Sequence, residues 1–151
     1  MANIYDLLPT FNYIEVNNLK GIHPGFVVAQ MEVAESAKAT LLKDNKFFEN
    51  GKICTISTDG IVAGTAESKA LFIHYTEPLN TIVNSDKYFA VDVTEECPRL
   101  VQLIPGDEWM STDPNCAIEG RIVKIDNTTD GWYGVTTMAN GDAGYHYMFL
   151  G

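Results

Sequence analysis

The sequence predicts a mainly β protein: a small barrel or sandwich with a C-terminal antiparallel meander and an irregular N-terminal arm. Three observations predict it. Turn-forming pairs recur at Asn50-Gly51, Asp59-Gly60, Asp130-Gly131 and Asn140-Gly141, and both residue types tolerate the positive φ that tight turns need. Between the turns lie short runs of β-branched and aromatic residues, about 8–15 residues apart, the spacing of small all-β domains. Hydrophobic residues make up 46% of the 151, enough to bury a core without disulfide or metal staples. Residues 25–151 therefore read as a single β domain and residues 1–24 as an arm.

The strands follow in order. "GFVVAQMEV" sets Val27, Ala29, Met31 and Val33 on one face. "KICTIS" and "GIVAG" flank Asp59-Gly60 as a compact hairpin. "ALFIHY" is almost continuously apolar, as a buried strand would be. "YFAVDV" alternates, with Phe89, Val91 and Val93 on one face. "RLVQLI" stops at Pro105-Gly106. The last three runs, 118–126, 132–138 and 145–150, form the expected meander. The stretch 34–49 admits two readings. It is a helix with Val33, Ala37, Leu41 and Phe48 near one face, or two strands around a Lys43-Asp44-Asn45-Lys46 turn; we favour strand and turn.

Composition narrows the function classes. The formal charge is −10, from 10 basic and 20 acidic residues. The acid is spread out: four basic against six acidic residues in 1–50, four against seven in 51–100, two against seven in 101–151. No basic patch suggests a nucleic-acid partner. No apolar run approaches the ~18 residues of a membrane-spanning helix, and "MANIYDLLPTF" lacks the charged and apolar regions of a signal peptide. The triplet at Asn127 fits a glycosylation site, which matters only in a secreted protein.

Candidate chemistry is sparse. Cys54, Cys97 and Cys116 are odd in number and lack metal-type spacing, so we expect thiols with no disulfide and no metal. His23, His74 and His146 are scattered; His74 reads as a hydrogen-bonded structural histidine, and alternation turns His146 away from Tyr145 and Tyr147. The acids of "DVTEE" and "PGDEW" sit beside turns, where solvated carboxylates are normal. No nucleophile elbow, zinc-protease, phosphate-loop, dinucleotide or calcium-loop motif occurs. No catalytic residue and no cofactor is expected. Two surfaces remain. Trp132, Tyr133, Tyr145 and Tyr147 form an aromatic group, either one wall of the core or a face for stacking on a sugar or a partner. Tyr5, Leu7, Leu8, Phe11, Tyr13 and Ile14 give the arm an apolar load without a period, suited to packing on its own domain or on a neighbour.

At "NGKICTISTDGIVAGTA", "ALFIHYTEP", "YFAV" and "PRLVQLIPGDEW" the layout resembles the capsid decoration, or head cement, proteins of tailed bacteriophages. The resemblance covers roughly residues 25–125 and is one of pattern. It implies a non-enzymatic virion protein on the capsid exterior, made in the host cytoplasm. Its partners would be the major capsid protein and further copies of itself. The competing expectations are a glycan- or ligand-binding β module and a small β-barrel enzyme.

Overall fold

A computed structural model describes residues 27–76, 90–111, 113, 115–128 and 144–151. Their chain order is β1 (Val27–Gln30), a 3-10 turn (Glu35–Ala37) running into α1 (Lys38–Leu41), β2 (Phe47–Glu49), β3 (Ile53–Ser57), β4 (Gly60–Ala63), β5 (Phe72–His74), β6 (Ala90–Asp92), β7 (Arg99–Gln102), β8 (Glu108–Ser111), β9 (Ile122–Thr128) and β10 (Gly144–Phe149). The fold is mainly β, as the turn spacing predicts. A five-stranded sheet in the order β1-β7-β5-β3-β4 curls into a half-barrel. A three-stranded sheet, β8-β10-β9, and the pair β2-β6 complete it, every pairing antiparallel.

β5, at the centre of the five-stranded sheet, is buried on both faces, which explains its nearly unbroken apolar run. Leu71, Ile73, Val101 and Leu103 face Trp109, Ile122, Tyr147 and Phe149 of the three-stranded sheet. On the opposite side Phe72, Leu100, Cys54 and Ile61 pack with Ala37, Leu41 and Phe48. Neighbours along each strand thus enter different cores, as a period of two requires. At about 25 cal/mol per Å² of apolar surface, two such layers hold most of the stabilising burial.

The hairpin β3–β4 forms as expected, with Ser57 opposite Gly60. Gly60 has φ +131, and a Cβ there would come within 2.6 Å of the Glu32 carbonyl oxygen. That crowding has a cause. Ile61 N–H donates to Glu32 O and Ala34 N–H to Ile61 O, so residues 32–34 run along the outer edge of β4.

The ambiguous stretch 34–49 divides. Lys38, Ala39 and Leu41 are good helix formers, and Lys38–Leu41 gives one α-helical turn, not the favoured strand. Asp44 and Asn45 then take positive φ, 54° and 53°, which their short polar side chains tolerate. The turn closes with Lys43 and Phe47 exchanging backbone bonds of 2.9 Å. "KFFE" is a strand as expected, but its partner is the distant β6.

The C-terminal run differs from the expectation in two ways. Gly120, at φ +78, makes residues 118–121 a turn, so β9 begins at Ile122. β10 pairs directly with β9 on one side and with β8 on the other, so among the described residues the third strand of this sheet is Glu108–Ser111. The run 132–138 lies outside the described residues.

Candidate functional site

The side chains capable of chemistry are mostly engaged in holding the fold. His74 is fully buried and stacked on Phe48, ring centroids 4.0 Å apart. Its Nδ1 lies 2.9 Å from Glu49 O and its Nε2 2.8 Å from Thr76 Oγ1. A carbonyl only accepts, so Nδ1 carries the proton and Nε2 accepts from the Thr76 hydroxyl. Thr76 Oγ1 in turn accepts from Arg99 N–H at 2.9 Å. Asn50 closes the cluster: Nδ2 donates to Thr76 O, and Oδ1 accepts from Thr76 N–H. Burial pushes the His74 pKa down to about 4, although its bond to Glu49 O opposes the shift. The imidazole is neutral at pH 7, and the structural reading of His74 agrees with its surroundings. Asn50 and Thr76 were not singled out in the sequence, where Asn50-Gly51 reads only as a turn.

The acidic clusters serve turns. Burial alone would raise the Asp92 pKa, but bonds from the Thr94 hydroxyl and N–H outweigh it, together with Lys46 at 3.2 Å, and hold it below its ordinary value. Asp107 Oδ2 accepts from Ile104 N–H at 2.8 Å and fixes the Pro105-Gly106 turn. Glu108 lies 3.6 Å from His146 Nε2. Among the described residues no group of three His, Cys, Asp or Glu side chains could hold a metal ion, and no helix is long and apolar enough to cross a membrane.

The proposed aromatic surface is largely a core wall where it can be seen. Tyr147 is fully buried and stacked with Trp109 at 5.8 Å. Its hydroxyl donates to Asp113 O and accepts from Cys116 N–H. It therefore cannot stack on a sugar, and its assignment to a binding face is corrected. Tyr145 is partly buried against the same cluster, with Lys124 Nζ 4.9 Å from its ring centroid. Tyr145, Tyr147 and Phe149 do share a face, but it is the inward one. Trp132 and Tyr133 lie outside the described residues. So do Tyr5, Leu7, Leu8, Phe11, Tyr13 and Ile14 of the arm.

The thiols differ in exposure. Cys54 and Cys116 are buried and Cys97 is partly exposed. Burial raises the Cys54 pKa; burial and the nearby Asp113 charge raise that of Cys116. Neither is a thiolate at neutral pH, so neither is an activated nucleophile. Cys116 lines a cleft of about 270 Å³ that also takes in Lys52 and Asp113. These residues come from separate parts of the chain, and no local motif announces them.

Comparison with protein-family models, with curated proteins and with solved structures finds no match for this chain.

Proposed function

We propose that the protein is a non-enzymatic structural component of a tailed-phage virion, binding the outside of the capsid shell and stabilising it. The resemblance across residues 25–125 supports the virion assignment. One structural observation supports the non-enzymatic half. Among the described residues, His74, Asp92, Asp113 and Tyr147 are each held in bonds that fix strands and turns. The partners in this reading are the major capsid protein and further copies of the chain, with the apolar arm as the means of attachment. Stabilisation follows from mass action: a protein that binds the assembled shell but not its dissociated subunits shifts the equilibrium toward the shell.

The experiment mixes purified shells with the full chain and, separately, with a chain starting at Gly25, and images both by electron microscopy. Ordered extra density for the full chain alone, with both chains folded by circular dichroism, is the expected result. No density for either chain sinks the capsid reading. Equal density for both sinks the role of the arm, and binding to a glycan array in place of shells would favour the glycan-binding alternative.

A further inference from the structure

The cleft at Cys116 has chemistry that the structural role does not use. It lies among the end of α1, the paired ends of β3 and β4, and the loop after β8. A second cavity of about 120 Å³ shares Thr40, Leu41 and Lys52 with it. Lys52 thus borders both cavities, and Lys43 borders the smaller one.

Lys38 pairs with Glu35 and Lys46 with Asp92. Among the described residues, neither Lys43 nor Lys52 has a side-chain hydrogen bond or ion pair. Both are partly exposed. The carboxylates bordering the two cavities offer little surface for contact: Asp113 is 5% and Glu49 1% exposed, and Asp113 Oδ1 already accepts from Asn115 N–H at 2.9 Å. The charged groups a ligand can touch directly are therefore the two lysines. The larger cavity also has an apolar wall, made by Leu41, Ile53, Ala63 and Ile118. Its volume falls just below that of clefts for drug-sized ligands, so the occupant is small.

We infer that this cleft binds a small amphipathic carboxylate, its anionic head at Lys52 and Lys43 and its short apolar body against Ile53 and Ile118. Carboxylate fits better than phosphate. Among the described residues no arginine fork borders the cavities, two lysines act as point charges, and the acidic surface repels a dianion more than a monoanion. This site is independent of the capsid reading, and its failure would leave that reading standing.

The test titrates the full-length protein with butyrate and benzoate by amide NMR and calorimetry, with inorganic phosphate and butylamine as controls. Saturable shifts at Lys52, Ile53, Ala63 and Gly64 are expected for both carboxylates. Lys52→Met should weaken binding about tenfold or more, the loss of one charge-assisted hydrogen bond, at an unchanged melting temperature. Ala63→Leu, at an exposed position, should block the larger cavity while keeping both charges, and it decides the matter if the Lys52 variant does not fold. The inference is overturned by no saturable response to either carboxylate, by phosphate or butylamine binding as tightly as benzoate, or by unchanged affinity in the variants.

Discussion

Replacing Thr76 by valine isolates the polar joint around His74. The two side chains have nearly the same shape, so the exchange removes an oxygen and little else. That oxygen serves two partners, accepting from Arg99 N–H at 2.9 Å and donating to His74 Nε2 at 2.8 Å. Thr76 is 2% exposed, so water has little access to either orphaned group. A buried group left unpaired costs about 1–3 kcal/mol, which puts Thr76→Val at roughly 2–4 kcal/mol once the partly exposed Arg99 is set at the low end. Thr76→Ser keeps both bonds and loses one methyl, about 1 kcal/mol. Urea unfolding of the three proteins measures the difference. Valine within about 0.5 kcal/mol of wild type, or serine worse than valine, would refute the hydrogen-bond assignment. The same joint predicts a pH effect. His74 has a folded pKa of about 4 against an ordinary 6.5, so the unfolded chain binds the extra proton between those values. The contribution to stability is full above 6.5 and is lost as pH falls toward 4; it amounts to roughly 3 kcal/mol at 1.36 kcal/mol per pKa unit. His74→Gln should flatten the pH dependence of stability in that window. An unchanged slope would mean that another group carries it.

Three further outcomes follow from the packing. Gly60→Ala should destabilise by about 2–3 kcal/mol or more in thermal or urea unfolding, because its φ and the Glu32 carbonyl both oppose a side chain. Arg121→Lys should not preserve stability, since one ammonium cannot reproduce bonds from Nε to Gly151 O and from Nη1 to Ala66 O and Ser68 O; a melting temperature equal to wild type would count against that anchor. Alkylation followed by mass spectrometry should label Cys97 in the native protein, and Cys54 and Cys116 only after unfolding.

Local chemistry made some of this legible. The β3–β4 hairpin could be read because Asp59-Gly60 is a turn signal with β-branched runs on both sides. β5 could be read because a strand covered on both faces must be apolar throughout. What failed was non-local. Nothing near "KFFE" names β6 as its partner. Nothing near Trp109 shows that β8 would become the third strand of the C-terminal sheet, since its four residues begin with a glutamate and include a serine. The cleft was invisible for the same reason: Thr40, Lys52 and Asp113 meet only through tertiary packing.

The buried polar joint answers a problem that the apolar core creates. A strand with one solvated face has its register fixed by alternation, because a slip of one residue would turn the apolar side outward. β5 has no such guide. Leu71 and Ile73 enter one core and Phe72 the other, so a slipped strand would still present hydrophobic groups to both. His74 and Thr76 supply the missing constraint. In the native register the His74 ring meets Glu49 O and Thr76 Oγ1 together, Gly51 N–H reaches His74 O, and Asn50 spans both backbone groups of Thr76. A slip would carry these polar groups into apolar surroundings without partners, at about 1–3 kcal/mol for each group left unsatisfied. The histidine that the sequence marks only as structural is, in this packing, a register pin for the central strand.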